Sequence, residues 1–378
     1  MPRSSRRGGL CAAALSLCLV LAAAGCTGGS GPAGGGGTHV SSATPTPGKS
    51  GAAASAPTPK VVDTIAKGLK VPWGLAFLPD GSALVSERDS ARILRVTPHG
   101  KVTEVGTLPS VVPGGEGGQL DLAVSPHFAS DHLVYAYYTA ADDNRIVRMT
   151  YQNGKLGSPD PVLTGIPKGT IHNGGRIVFG PDGMLYASTG ETGDGELAQN
   201  KQSLGGKILR ITPEGAVPPD NPFPNSPVYS YGHRNVEGLA FDSRDRLWAA
   251  EFGESTWDEL NLIRPGGNYG WPVVEGSSDN DKFINPVWQW HPAKASPSGI
   301  AIVDDVVYIA CLRGERVWQA SITGDHVTTP RPFFTGEYGR LRTIAEAPDG
   351  SLWLTTSNRD GRGDPHPGDD KILRVALR

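Results

Sequence analysis

Short apolar runs alternate with turn-forming clusters along the chain, and one phrase keeps returning. A few apolar residues lead into a Pro-Asp-Gly-like turn, and a second apolar run follows. The phrase reads WGLAFLPDGSALVSER from Trp73, LDLAVSPHFASDHLVYAYYT from Leu120 and GRIVFGPDGMLYASTGE from Gly175. It returns as GLAFDSRDRLWAAEFGE from Gly238, GIAIVDDVVYIACLRGE from Gly299 and RTIAEAPDGSLWLTTSNRDG from Arg342. These six copies start 43 to 63 residues apart, a blade-sized period lengthened by loop insertions. Asp-Gly supplies the positive-φ residues of a tight turn, so each copy predicts a hairpin. Further strand-like pieces lie between copies: ARILRVTP (Ala91–Pro98), NRIVRMTY (Asn144–Tyr151) and GKILRITP (Gly206–Pro213).

Four strands per repeat and no convincing amphipathic helix predict an all-β, six-bladed β-propeller over residues 60–378. The terminal KILRVALR is expected to join the blade begun near VVDTIAKGL, which closes the ring and hides strand edges. A stack of two β-sandwiches explains the period less well.

The composition narrows the function. The chain has 378 residues with 51 Gly, 32 Pro, 38% hydrophobic residues and a formal charge of −3. That charge predicts no nucleic-acid footprint. The N-terminus reads as an address. Basic MPRSSRRGG precedes apolar LCAAALSLCLVLAAAG, and LAAAGC places small residues directly before Cys26. Residues 1–25 are read as a lipoprotein signal peptide and Cys26 as the lipid-bearing residue, against an ordinary cleaved signal or a single anchor helix. Residues 26–59 are rich in Gly, Ser, Thr, Ala and Pro and read as a flexible tether. The protein is therefore expected on the extracytoplasmic face, held to the membrane through Cys26. Cys311 is the only cysteine left after processing, so it is expected to be a buried, inert thiol. PGKS at Pro47–Ser50 lacks the first glycine and the preceding strand of a phosphate loop.

Polar groups recur at equivalent places in the repeats, just before the first hairpin strand or just after the second. His172 and Asn173 precede one strand, Arg234 and Asn235 another. Arg313 follows a strand, Arg340 and Arg342 flank a strand start, and Glu116 sits at the same depth. Six distant segments are expected to converge on one opening. Four guanidiniums around a channel repel one another unless an anion holds them, and Arg forks suit carboxylates. That predicts an anionic ligand with several carboxylates. Near it, His172 reads as a candidate general base. A second, acidic stretch offers Glu251, Glu254, Asp258, Glu259 and Asp279 among turn segments. It reads either as a hard-oxygen Ca²⁺ site or as a solvated acidic loop.

HNGGRIVFGPDG, GHRNVEGLAFD and WDELNLIRPGGNYGWP, in that order, resemble the soluble quinoprotein glucose/sorbosone dehydrogenase family, including the bacterial aldose sugar dehydrogenases. The likeness runs from about Val71 to the C-terminus. It implies a six-bladed propeller that binds pyrroloquinoline quinone (PQQ) and Ca²⁺. It also implies oxidation of the C1 hydroxyl of aldoses to the lactone, with hydride passing to the quinone. By resemblance His172 is the base, and Arg234 and Asn235 contact the quinone edge. Arg340 and Arg342 hold cofactor carboxylates, with Glu116 and Arg313 beside them. The carbonyls of Gly253 and Glu254 face a catalytic Ca²⁺; Glu259, the Tyr269 carbonyl and Asp279 serve a structural one.

Three departures bear on substrate: Arg313 replaces a lysine, Glu116 a glutamine and Ile171 an aspartate beside the base. A broad aldose range, or a related alcohol, is as open as glucose, with an exported electron acceptor as the partner. Two alternatives remain. One is a Ca²⁺-dependent lactone hydrolase, which needs a metal held by side-chain carboxylates and amides on the channel axis. The other is a binding lipoprotein without turnover. The RGD at Arg362–Asp364 reads as a polar loop.

Overall fold

The computed structural model describes residues 56–378; the signal region, Cys26 and most of the tether lie outside the described residues. Six antiparallel sheets are present. The inner strands of blades one to six are Pro72–Phe77, Gln119–Val124, Ile177–Phe179, Asn235–Phe241, Pro297–Val303 and Leu341–Glu346. Each sits at the start of one sequence repeat, so the six-bladed propeller is as the period predicts. Helical structure is confined to single turns, such as Phe128–Asp131 and Glu196–Gln199. The sixth blade takes its outermost strand, Pro59–Ala66, from the start of the described chain. That strand pairs with Ile372–Leu377, with Val61 opposite Val375.

Why the strands read as near-continuous apolar runs is clear from the packing. A buried apolar cluster lies between each pair of neighbouring blades, six in all. In Leu133–Thr139, Tyr135 and Tyr137 face the third blade, while Val134, Ala136 and Tyr138 face the first. Both faces of the strand are covered, so the usual alternation of apolar and polar residues is lost. Cys311 is free and buried in the cluster between the fourth and fifth blades.

Neighbour-to-neighbour packing does not by itself tie the ring together across its centre. Arg176, buried just before the third inner strand, does so. Its Nε donates to the Glu237 carbonyl at 2.7 Å and its Nη2 to Thr343 Oγ1 at 3.2 Å. Nη1 lies 3.0 Å from Asp121 Oδ1, and the guanidinium sits 4.4 Å above the Trp73 ring. One side chain thus meets blades one, two, four and six. Burial pushes the Asp121 carboxyl up despite the Arg176 charge. Removing the cation alone strands a buried carboxylate, which costs about 3–5 kcal/mol. Arg176→Met is expected to lose that much in urea unfolding. Adding Asp121→Asn, which keeps an acceptor for the Ile177 amide, recovers part of it.

Candidate active site

Loops from several blades enclose a cavity of about 710 Å³ at one mouth of the central channel. Glu116, His172, Arg234, Asn235, Gly253, Glu254, Arg313, Arg340 and Arg342 all line it. The structure therefore brings together nine residues read from separate repeats.

His172 is placed by its backbone. Its φ is +52°, in the left-handed region. Opposite it runs Gly190, where a Cβ would stand 1.9 Å from the His172 carbonyl oxygen. The next residue, Asn173, is buried; its Oδ1 accepts from Asn144 Nδ2 at 2.9 Å and from the Gly169 amide at 3.0 Å. The His172 amide donates to Glu116 Oε2 at 2.8 Å. The ring Nδ1 meets Glu191 Oε1. A carboxylate only accepts, so Nδ1 carries a proton, and in the neutral ring Nε2 is the nitrogen that holds the lone pair. Nε2 has no protein partner among the described residues, which leaves it available as a base.

Glu116, which stands where the resemblance has a glutamine, is not a lone carboxylate. Its other oxygen accepts from Arg362 at 2.7 Å. Burial pushes its carboxyl up, but the His172 amide and the Arg362 charge outweigh burial and hold it below its ordinary value.

The crowd of arginines also needs correcting. Arg340 and Arg342 share Asp360, at 2.9 and 3.6 Å, and Arg342 also meets Glu237 at 2.9 Å. The chain's own carboxylates hold these cations together, so no external anion is required for them. Arg234 and Arg313 differ: neither guanidinium has a hydrogen bond or ion pair among the described residues. Arg313 is exposed. Arg234 Nε is buried without a partner, and its guanidinium lies 5.3 Å over the Trp271 ring. Asn235 is committed inward, with its Oδ1 accepting from the Gly174 amide at 2.9 Å.

The acidic stretch splits in two. Glu275 Oε1 accepts from the amides of Glu254, Ser255, Thr256 and Trp257 at 2.6 to 3.2 Å. That folds the loop and leaves the Gly253 and Glu254 carbonyls free of hydrogen bonds beside the cavity. Asp258 accepts from the Gly253 and Ser296 amides, and burial pushes its carboxyl up to about 6. Glu259 and Tyr269 are buried outside the cavity lining. Burial and the neighbouring Glu251 raise the Glu259 carboxyl. Asn261 Nδ2 bridges the two glutamates, and its Oδ1 is buried without a partner. Asp279 is exposed and makes no hydrogen bond among the described residues.

Sequence reasoning missed Arg88, Glu191, Glu237, Asp360 and Arg362. Glu191 closes the third repeat and Asp360 the sixth, so their place at a strand exit was the available signal. Arg362, passed over as part of a polar loop, reaches the cavity wall.

A six-bladed propeller with a polar, arginine-lined cavity at one channel mouth defines the structural class. The family described as Glucose / Sorbosone dehydrogenase matches residues 69–373, and the chain belongs to it. It is similar to a solved structure of the PQQ-bound form of aldose sugar dehydrogenase from Streptomyces coelicolor. There the TM-score is 0.83 and the identity 58%, covering 85% of this chain and 98% of that one. Aldose sugar dehydrogenase YliI of Escherichia coli K12 is 29% identical over 81% of this chain and 92% of its own length. Quinoprotein glucose dehydrogenase B of Acinetobacter calcoaceticus is 34% identical, over 58% of this chain and 54% of its own length.

Asp360 gives the site a pH signature. Burial raises its carboxyl, but Arg342 and Arg340 outweigh burial and hold it below its usual 3.8. A carboxyl depressed on folding contributes stability above its unfolded value and loses it as pH falls through the folded one. Asp360→Asn is expected to flatten the acid limb of a stability profile below about pH 4 and to lower stability at neutral pH.

Proposed function

We propose that the protein oxidises the C1 hydroxyl of aldose sugars to the lactone, with PQQ and Ca²⁺ held in the cavity. The observation that carries this reading is one juxtaposition. A histidine oriented through Nδ1 by Glu191 shares a cavity with an unpaired, partly buried guanidinium at Arg234.

The residues fit the cofactor. Arg234 and Arg313 offer unclaimed forks for an acidic aromatic ligand, and Arg340 and Arg342, balanced by Asp360 and Glu237, complete the wall. The free Gly253 and Glu254 carbonyls suit a hard cation, and the buried, unpartnered Asn261 Oδ1 suits a second. PQQ, when bound, supplies the two-electron acceptor. His172 Nε2 takes the proton from the sugar C1 hydroxyl. Glu191 steadies the imidazolium that forms, as a carboxylate behind a catalytic histidine does. Arg234 presents positive charge where the reaction places negative charge on the acceptor's edge. Glu116, tied to Arg362, holds the His172 backbone in register.

A lactone hydrolase fits less well. Among the described residues no three His, Cys, Asp or Glu side chains are grouped to hold a metal, and Arg176 occupies the centre of the ring. The sequence further supports an exported protein anchored by lipid on Cys26, reducing an exported acceptor.

Metal-free, quinone-free protein is expected to reduce an artificial dye with several aldoses only after both PQQ and Ca²⁺ are added. Reduction without quinone, or lactone hydrolysis in its absence, would overturn the reading. His172→Gln is expected to lower turnover by at least ~10²-fold while PQQ affinity stays nearly unchanged. Chelation is expected to lower the thermal midpoint and added Ca²⁺ to restore it; an unchanged midpoint would remove the structural cation.

A further inference from the structure

We propose that His233 is a positioning residue for Arg234, acting through Glu251; the catalytic part of this inference rests on the function proposed above. His233 is fully buried and does not line the cavity. Its Nε2 lies 2.8 Å from Ser230 Oγ and its Nδ1 2.8 Å from Glu251 Oε2. The imidazole stacks on Tyr269 with centroids 4.6 Å apart and planes 21° from parallel.

Serine, histidine and carboxylate in this order have the connectivity of a hydrolase triad. Here they have no access to substrate, because Ser230 and His233 are both 0% exposed. The arrangement leads elsewhere. A Glu251 carboxylate can only accept, so Nδ1 carries a proton, and in the neutral ring Nε2 accepts from the Ser230 hydroxyl. With Oε2 fixed by the ring, Glu251 turns its other oxygen to the Arg234 amide, at 2.5 Å.

That amide matters because the Arg234 side chain has little else to hold it. Its guanidinium makes no hydrogen bond or ion pair among the described residues, and its Nε is buried without a partner. The Trp271 ring, 5.3 Å away, steadies it from the side, and the charge of Asp258 attracts it without an ion-pair contact. The position of the charge therefore depends on where the backbone is pinned. Without the imidazole donor, Oε2 keeps only the long contact from Asn261 Nδ2 at 3.3 Å, and the carboxylate is free to turn. A misplacement of about 1 Å by a residue outside the chemistry can cost ~10²-fold in rate.

Two variants separate positioning from bulk. His233→Phe keeps the stack on Tyr269 and removes the donor. His233→Asn restores a donor near the Nδ1 position. In cofactor-free protein, the ¹⁵N resonance of Arg234 Nε–H, assigned by its loss in Arg234→Lys, is expected to be sharp in wild type and in His233→Asn. In His233→Phe it is expected to broaden or move to the solvent-averaged position. In enzyme loaded with PQQ and Ca²⁺, His233→Phe is expected to lose ~10- to 100-fold in kcat with KM within about twofold, and His233→Asn to recover most of it. An unchanged Arg234 resonance in His233→Phe, or no rescue by His233→Asn, overturns the proposal. Should His233→Phe not fold, Ser230→Ala carries the test: a shifted Arg234 resonance supports the relay and an unmoved one refutes it. If the resonance responds as expected but no variant, wild type included, oxidises a sugar, the positioning stands and the functional reading fails.

Discussion

Arg176 is the constraint on which the rest of the architecture depends. Six wedge-shaped sheets packed on their neighbours leave a hole in the middle, and apolar clusters between wedges do not reach across it. A guanidinium does, because it is planar, carries five donors and stacks on an aromatic face. Here it reaches a carboxylate, a backbone carbonyl, a threonine hydroxyl and an indole on four different blades. It also separates two spaces. Trp73 lines the polar cavity above, while Arg176 and Asp121 line a more open hollow formed by the inner strands of all six blades. The polar mouth is thus built on a closed floor.

On that floor, the electrostatics are those of a nearly balanced set with two exceptions. Arg88, Arg340, Arg342 and Arg362 each find a carboxylate in the chain itself. Such pairs fix geometry more than they add stability, since taking charges out of water offsets their attraction. They fix the wall without any ligand present. Arg234 and Arg313 are the groups left over, and an incoming anion would meet them without displacing a protein partner.

Much of the fold was legible in the sequence, for a physical reason. Strands covered on both faces write themselves as apolar runs, and Asp-Gly turns punctuate them, so Trp73, Leu120, Gly175, Gly238, Gly299 and Arg342 mark the blades directly. The cavity was legible where a residue sits beside an inner strand, as His172 and Arg234 do. What stayed hidden were the partners. Asp360 meets Arg340 and Arg342 within the same repeat, marked in sequence only by its place at a strand exit, whereas Arg362 meets Glu116 across 246 positions of sequence. No local pattern encodes such a distance. The inference of an external anion for all the arginines failed because it counted the cations and missed their carboxylates, Asp360 after the last hairpin and Glu237 on the fourth inner strand. His233 was passed over because a buried histidine beside an arginine has no signature of its own.

The way the ring closes has a consequence for how the chain matures. Pro59–Ala66 pairs with Ile372–Leu377, so the sixth sheet joins the first and the last of the described strands. Until the final residues have emerged from the ribosome, an earlier fragment carries two unpaired sheet margins, which are templates for unwanted association. The contact that completes the circle is also among the most distant in sequence, the kind that forms slowly. Loss of either strand would therefore leave the ring open rather than merely shortened.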